Sequence, residues 1–304
     1  MARKAFPSSA DARAYATVAL RAPALAALPW LVHGFSTRRG GVSQLSGNGN
    51  SELNLGNVAW DTPGNVEENR RRFLEGLGAD HMRQVLQEQI HSDLIRVLQR
   101  PPAPGQKLRG DGLVTARPGL LLSILGADCL PVLLVDTRQR VVGALHCGWR
   151  GTARRLAQKG VGVMRQRFGS RPQDVLAAIG PGIRVCCYEV GEEVAAEFES
   201  QFVYAQALLV SRPKQRSAIE TKYALLFQSP FRPLPARSAR SIYVDLVEAN
   251  RRQLQEAGLS AGQIFSDAPC TSCHPEWFFS HRRDAGRTGR MMGVVGIRVS
   301  ATRS

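Results

Sequence analysis

The sequence lacks any apolar run approaching the roughly 18 residues that a membrane-spanning helix requires, so we expect no membrane partner. Its N-terminal apolar stretch is interrupted by Arg21, Pro23 and Pro29, which excludes the continuous hydrophobic centre of a signal peptide. We therefore expect a cytoplasmic protein whose cysteines are reduced. Residues 1–28 are rich in alanine and show no periodic pattern. They predict an N-terminal arm ahead of a single domain over residues 29–300.

Acidic and aromatic residues are also scarce. Asp and Glu total 25 against 40 Lys and Arg, which gives a formal net charge of +15, and aromatic residues make up 7%. Aliphatic side chains must therefore fill the core. The positive charge suits phosphate-bearing ligands, although the same arginines could form an ordinary solvated surface. No nucleic-acid-binding motif accompanies the charge, so we do not expect nucleic acid as a partner. Nothing in the pattern indicates an oligomeric state.

Short apolar runs alternate with helical patterns, which predicts a mixed α/β fold. The central runs are apolar throughout, as is typical of strands buried on both faces. The predicted helices cover 65–77, with Asn65 as the N-cap and Gly78 as the stop, 151–168, 191–200 and 245–257. The predicted strands cover 31–36, 83–90, 94–98, 120–125, 132–135, 141–145, 175–179 and 293–299. The basic segment 211–240 is interpreted as a surface excursion.

Three residues with metal-binding side chains stand at the ends of predicted strands. They are His91, Cys129 and His146. One thiolate and two imidazoles form an ordinary zinc ligand set, and three protein ligands leave the fourth position for water or substrate. Two other interpretations stay open on the residues alone. The three can be unrelated structural residues, or Cys129 and His146 can be the nucleophile and base of a cysteine hydrolase.

A set of ordered motifs resembles one known family. The motifs are HGFSTRRGGVS (33–43), LNLG (53–56), ENR (68–70), QIHSD (89–93), GADCLPV (126–132), HCGWRG (146–151), GPGI with CCYEVG (180–191) and FFSHRRD with TGR (278–290). In this order they resemble the YfiH/YlmD family, the laccase-domain or "polyphenol oxidase" family that is now regarded as purine nucleoside phosphorylases. The resemblance extends over residues 31–299, nearly the whole chain.

The resemblance implies a single-domain, four-layer α/β/β/α sandwich with one zinc ion per chain, held by His91, Cys129 and His146. It also implies purine nucleosides and inorganic phosphate as ligands. The implied reactions are phosphorolysis of adenosine, inosine, guanosine and S-methyl-5′-thioadenosine, and hydrolytic deamination of adenosine. Two residues depart from the family pattern, because Cys147 replaces the usual Ala and His281 the usual Tyr. Residues near 204–240 also look longer than is usual.

Phosphorolysis requires donors for phosphate, and deamination requires a group that transfers a proton. For phosphate, Arg38 beside Gly40 and Gly41 is a candidate, because glycine allows close approach of the backbone to an oxyanion. Arg150 is another, next to the predicted start of a helix at residue 151. The remaining candidates are Arg282 and Arg283 for phosphate and Asp128 and Asp93 for proton transfer, although each could also have a structural role.

One further pattern indicates other chemistry. The string CTSCH at 270–274 matches a c-type haem attachment motif, but the expected cytoplasmic location argues against haem. A zinc site from Cys270, Cys273 and His274 lacks an obvious fourth ligand.

A copper-dependent phenol oxidase is another alternative function. The sequence has only six His, too few for the copper centres of a multicopper oxidase, so copper would bind at the triad only adventitiously.

Overall fold

Two large β-sheets form the centre of the protein, and a computed structural model describes residues 19–45, 51–213 and 240–299. The strands are β1 (Ala19–Leu20), β2 (Leu31–Ser36), β3 (Arg39–Ser43), β4 (Arg83–Val85), β5 (Ile95–Val97), β6 (Gly112–Thr115), β7 (Leu120–Gly126), β8 (Leu130–Asp136), β9 (Val141–Cys147), β10 (Val175–Ile179), β11 (Glu189–Val190), β12 (Leu209–Pro213), β13 (Arg240–Val244), β14 (Ile264–Phe265) and β15 (Met291–Ile297). The α-helices are α1 (Pro23–Ala26), α2 (Pro63–Leu77), α3 (Trp149–Ala153), α4 (Leu156–Phe168), α5 (Glu192–Gln201) and α6 (Leu246–Glu256).

The first sheet has five strands in the order β1-β2-β15-β7-β4, and the second has six in the order β14-β10-β8-β9-β6-β5. A smaller third sheet has the order β11-β13-β12. Most neighbouring strands are antiparallel, while β4 with β7, β5 with β6 and β10 with β14 are parallel. The last strand, β15, lies between β2 and β7, so residues from both ends of the chain complete the first sheet.

The two large sheets pack face to face, with helices on their outer faces. Successive side chains of a strand point to opposite faces, and strand β7 shows how this builds the layers. Leu120 and Leu122 contribute to the core between the sheets, whereas Leu121 packs with Phe73 of α2 on the outside. In β8, Leu133 joins the core between the sheets, and its neighbours face the layer that contains α4 and α6. These packing relations confirm the expected mixed α/β fold and the four-layer α/β/β/α arrangement.

Helix α2 begins two residues earlier than predicted, and its N-cap is Thr62, not Asn65. The Thr62 side chain accepts a hydrogen bond from the backbone N–H of Asn65, and Pro63 occupies the first helical position. Proline suits that position because the N–H it lacks would have no helical partner. The predicted stop at Gly78 is confirmed, with φ of +61° in the left-handed conformation.

The single helix predicted over 151–168 is wrong, because the chain forms two helices, α3 and α4, separated at Arg155. This residue has φ of +61°, which interrupts the helix. Its guanidinium donates to Glu256 and to the carbonyl of Gln201, and it also lies over the ring of Phe202. Contacts with neighbouring elements therefore hold a conformation that local helix propensity does not predict.

The end of the expected N-terminal arm belongs to the folded structure. Strand β1 pairs with β2, and Leu20 and Leu25 are buried in the core between the sheets. Residues 1–18 of the expected arm lie outside the described residues, and so does most of the expected surface excursion, residues 214–239. Within the part of the chain that the structure describes, no helix has the length and apolar character needed to cross a membrane.

Candidate metal centre

The three predicted ligands meet at one edge of the second sheet. The ligand atoms of His91, Cys129 and His146 all lie within 4.8 Å of one another. The two imidazole rings are 5.0 Å apart between centroids and cross at 71°. The sequence placed these residues at strand ends, and the structure brings their side chains together.

Hairpin geometry brings Cys129 next to His146. Strands β8 and β9 are antiparallel, with Leu130 opposite Cys147 and Pro131 opposite His146. Cys129 immediately precedes β8 and therefore lies near the end of β9. Gly148 leaves the necessary space, since a Cβ atom there would lie 2.9 Å from the Cys129 sulfur.

Asp111 positions the two histidines, and sequence reasoning missed it. Its buried carboxylate accepts from His146 Nδ1 at 2.9 Å, which leaves Nε2 of His146 for a metal ion. The same carboxylate accepts from the backbone N–H of His91 at 3.1 Å and of Ser92 at 2.6 Å, and from Ser92 Oγ at 2.7 Å. These bonds hold the turn at His91, whose φ is +55°. One carboxylate therefore orients ligands from two separate segments.

Charge couples the half-buried Cys129 to the buried His146. Burial raises the pKa of the Cys129 thiol, but the charge of His146 and hydrogen bonds from His146 and His91 bring it down to about 6. Burial lowers the pKa of His146, while the Cys129 thiolate and the hydrogen bond to Asp111 raise it to about 9. The surroundings therefore favour the thiolate form of Cys129, which is the form that binds a metal ion.

The triad opens into a cavity of about 450 Å³. Its walls come from several loops, and the residues lining it are Gly56, Asn57, Gln87, Gln89, His91, Leu125, Gly126, Ala127, Asp128, Cys129, His146, Tyr188, His281, Arg282 and Arg290. This volume is within the range of small-molecule binding sites. Of the residues predicted beyond the triad, only Asp128 and Arg282 line this cavity.

Two glutamines in the cavity wall differ in their bonding. Gln89 makes two hydrogen bonds with the backbone of Leu125, of 2.7 and 2.8 Å, so its amide is fully engaged. Gln87 is 8% exposed, and neither its amide nitrogen nor its amide oxygen has a hydrogen-bond partner among the described residues. A buried amide without protein partners is costly, and a bound ligand is one way to satisfy it. Sequence reasoning missed Gln87, because a glutamine in a polar segment carries no distinctive signal.

Asp128 lies in the cavity wall with both carboxylate oxygens engaged. One oxygen accepts from Thr271 Oγ1 at 2.6 Å and the other from the backbone N–H of Arg282 at 2.7 Å. Its φ is +92°, a conformation that non-glycine residues rarely adopt. The same residue accepts a backbone bond from Ile183 at its carbonyl. Asp128 therefore accepts hydrogen bonds from three different segments around the triad.

Arg38 and Gly41 do not line the cavity. The Arg38 guanidinium pairs with Glu52, donates to the carbonyl of Pro275 at 2.7 Å and lies over the Phe279 ring. Gly41 packs against the backbone of the segment that contains Glu52. A Cβ atom at residue 41 would lie 2.1 Å from the carbonyl oxygen of Glu52. Gly41 therefore permits close packing between two backbone segments, and the Arg38 guanidinium is engaged by protein acceptors.

The other predicted cationic and acidic residues are divided between the cavity and its surroundings. Arg282 lines the cavity, lies over the Tyr188 ring and donates to the carbonyl of Glu189. Arg150 lies in the first turn of α3 over Trp149 and is not among the lining residues. Placed outside the cavity are Asp93, which pairs with Lys159, and Arg283, which pairs with Asp284. Arg290, which sequence reasoning did not select, is a lining residue.

The chain is similar in sequence and fold to several known proteins. The sequence model described as "Multi-copper polyphenol oxidoreductase laccase" matches residues 32–298. A relative named purine nucleoside phosphorylase from Deinococcus radiodurans is 40% identical and spans 91% of this chain and 92% of its own length. Purine nucleoside phosphorylase YlmD from Geobacillus stearothermophilus is 36% identical, covering 88% of this chain and 90% of its own. The crystal structure of YfiH from Bacillus licheniformis superposes with a TM-score of 0.75 at 31% identity, over 92% of this chain and 97% of that one.

Proposed function

The chain belongs to the YfiH/YlmD family of laccase-like domains, and from that membership we propose that it is a zinc-dependent purine nucleoside phosphorylase. The observation that carries the proposal is the position of His91, Cys129 and His146, which converge at the wall of a cavity of about 450 Å³. Such a cavity can enclose a nucleoside and a phosphate ion together.

The donor set fits one zinc ion. Two imidazole nitrogens and one thiolate are preferred zinc ligands, and the opening to the cavity leaves a fourth position for an exchangeable ligand. Asp111 already fixes His146 in the orientation that presents Nε2. When bound, zinc supplies Lewis acidity at the wall of the cavity. The surrounding residues then determine which molecule is held there and in which orientation.

We propose that the polar side of the cavity binds the purine base and that its cationic side binds phosphate. The Gln87 amide is buried in the cavity wall without a protein partner, and a small movement of the wall would let its donor and acceptor meet the edge of a purine base. Arg282 and Arg290 line the cavity and can attract inorganic phosphate, with His281 beside them. Burial raises the pKa of Tyr188, so its phenol stays neutral and can donate a hydrogen bond.

In phosphorolysis the bond between the sugar C1′ and the base nitrogen breaks, and a phosphate oxygen forms a new bond to C1′. The enzyme contributes chiefly by holding the two reactants in line and excluding water. We assign this positioning to the arginines and to Gln87. We infer that Asp128 is a positioning residue, because both of its oxygens accept from protein donors and it fixes the backbone of Arg282.

Chromatography of nucleosides after incubation with the purified protein tests the proposal. Adenosine, inosine, guanosine and S-methyl-5′-thioadenosine should each release free base and a sugar 1-phosphate when phosphate is present. We also propose that adenosine is hydrolytically deaminated in the same cavity, so adenosine should yield inosine without phosphate. Absence of free base from every nucleoside, in protein that contains zinc, would overturn the proposed phosphorylase activity.

One observation favours a second candidate, a cysteine hydrolase. Asp111, His146 and Cys129 stand in the order of acid, base and nucleophile, with Asp111 on Nδ1 of the imidazole. The position of His91 next to the same sulfur fits metal binding better, since a hydrolase needs only one base. A chelator separates the two, because it abolishes a zinc-dependent activity and leaves a cysteine hydrolase active.

The donor set also weighs against a multicopper oxidase. Only two histidines, His91 and His146, take part in a metal-ligand cluster in the described part of the chain. Multicopper centres are built largely from imidazole ligands, and two histidines cannot supply them. Copper bound at the triad would be adventitious, and its removal should leave nucleoside phosphorolysis by the zinc form unchanged.

A further inference from the structure

A second group of metal-binding side chains lies outside the triad. The sulfur atoms of Cys186, Cys187, Cys270 and Cys273 all lie within 4.8 Å of one another. Cys273 is 3.4 Å from the sulfur of Cys186 and 3.3 Å from that of Cys187. A zinc–sulfur bond of about 2.3 Å places the sulfurs of a tetrahedral site roughly 3.8 Å apart, so small shifts would complete such a site.

The fold brings the two cysteine pairs together from distant parts of the sequence. Cys270 forms a parallel bridge with Gly182, and the backbone N–H of Thr271 donates to the carbonyl of Gly182 at 3.0 Å. Cys186 and Cys187 follow in the turn after Gly182. The C-C pair therefore supplies the ligands that the sequence interpretation of Cys270 and Cys273 lacked. His274, suggested as a third ligand from the sequence, is not in the cluster, and its ring lies 3.5 Å from Glu276.

Backbone donors surround the sulfur of Cys270. The backbone N–H groups of Arg184, Cys273 and Ser272 donate hydrogen bonds to it. Two of these donors belong to the turn between the cysteines of the C-x-x-C motif. Backbone donors directed at a sulfur stabilise the negative charge that a metal ligand carries.

Arginines surround the same loops. Arg184 donates to the carbonyl of Ser266, Arg212 donates to the carbonyl of Cys186 at 3.3 Å, and Arg283 donates to the carbonyl of Thr271 at 2.9 Å. Four thiolates around a divalent ion carry a net charge of −2, which three nearby guanidinium groups can offset. Four soft sulfur donors favour a thiophilic divalent cation, and the arginines offset the negative charge that remains on the complex.

We propose that Cys186, Cys187, Cys270 and Cys273 form a second, structural zinc site that fastens two loops at the edge of the cavity. Four sulfur ligands leave no open position, which is the arrangement of a structural site. A disulfide is the competing state of these thiols. It could use Cys273 only once, although Cys273 approaches both Cys186 and Cys187 equally closely.

The proposed site would stabilise the cavity wall through both loops. Tyr188, which lines the cavity, follows Cys187 directly. Thr271, between the other two cysteines, donates to Asp128 in the wall. Zinc in the cluster would therefore hold the segments that carry Tyr188 and position Asp128, without contact between this zinc and the substrate.

Zinc analysis of the full-length chain, purified with zinc and a thiol reductant, tests this proposal independently of any activity. In the double variant Cys129→Ser/His146→Ala the triad is lost, and we expect one zinc per chain to remain. Adding Cys270→Ser and Cys273→Ser should remove it. The matched control adds His274→Ala in the same loop and should keep the zinc.

Cobalt binding keeps the test decisive if the quadruple variant does not fold. Cobalt added to the metal-free double variant should give the intense thiolate-to-cobalt charge-transfer absorption of a four-sulfur site. No bound zinc in the double variant, or no such absorption, would overturn the proposal. A disulfide between Cys273 and Cys186 or Cys187 in protein kept under reductant, identified by peptide mass analysis, would also overturn it.

Discussion

At the scale of single residues, Asp111 orients two of the three side chains of the candidate metal centre. The three candidate ligands come from two loops and one strand, and only His146 is held in place by its strand. Asp111 bonds to this imidazole and also to the backbone of the turn that carries His91. The distance between the two histidines is therefore set by a residue that binds neither metal nor substrate.

Replacing Asp111 with Asn should weaken zinc binding by roughly 10- to 100-fold, because an amide cannot accept from all the donors that surround the carboxylate. Competition with a chelator of known affinity measures this change. Asp93→Asn is the matched control, since Asp93 belongs to the same region but pairs with Lys159 outside the cavity. Equal zinc affinity in wild type and Asp111→Asn would show that the carboxylate does not position the ligands.

Gln87 carries the proposed contact with the purine base. Gln87→Met should raise KM for nucleosides roughly tenfold, because hydrogen bonds to the base are lost, while KM for phosphate stays the same. The free energy of unfolding should not fall, since the amide has no protein partner to lose. Steady-state kinetics and urea unfolding measure the two quantities.

Gln89→Met provides the comparison. The amide of Gln89 bonds to both backbone groups of Leu125, so its loss should decrease the free energy of unfolding. If Gln87→Met lowered stability in the same way and left KM for nucleosides unchanged, the amide would have a structural role only.

The sequence indicated the three residues that converge as candidate ligands, but not the residues that support them. His91, Cys129 and His146 are residue types with few functional roles, and ordered motifs surround them. Asp111 and Gln87 are common polar residues in loops, and their roles depend on contacts between segments that are distant in sequence. Arg38, in contrast, was selected from the sequence but does not line the cavity. Its glycine-rich context suggested phosphate, whereas tertiary contacts with Glu52 and Pro275 engage its guanidinium.

At the scale of secondary structure elements, most strands and helices could be predicted because their apolar patterns are clear. Errors occurred where a tertiary contact outweighs local preference. Arg155 interrupts the predicted helix 151–168 because contacts with Glu256 and Phe202 hold it in a left-handed conformation. Only residues 83–85 of the predicted strand 83–90 are paired with β7. The following residues instead form the cavity wall that contains Gln87.

The contact between β2 and the chain before α1 predicts a pH dependence of stability. His33 in β2 is 3% exposed and accepts from the backbone N–H of Ala22 at 3.1 Å. Burial and the charge of Arg21 lower the pKa of His33 to about 4, from 6.5. The unfolded chain therefore binds a proton that the folded chain does not, over the range between these values. The stabilisation is present above pH 6.5 and is lost as the pH falls toward 4.

His33→Gln should remove this dependence, because Gln can accept from Ala22 without titrating. Between pH 7 and pH 5 the free energy of unfolding of the wild type should fall by about 2 kcal/mol more than that of the variant. Urea unfolding at the two pH values measures the difference. Parallel losses in both proteins would assign the acid sensitivity to other groups.

At the scale of the whole molecule, the layers could be predicted from the family resemblance but the strand order could not be predicted from the pattern. Strand β15 lies between β2 and β7, and β4 pairs with β7 in parallel. Most of the chain separates β2 from β15, and no local signal specifies their pairing. The hairpin of β8 and β9 is the exception, since its short connection fixes a register that brings Cys129 to His146.

The proposed phosphorolysis depends on one zinc ion bound by His91, Cys129 and His146. The zinc content of folded His146→Ala, measured beside that of the wild type, tests this dependence. We expect one zinc per chain fewer in the variant, together with loss of phosphate-dependent release of hypoxanthine from inosine. Equal zinc content in the two proteins would show that these three residues do not bind the metal.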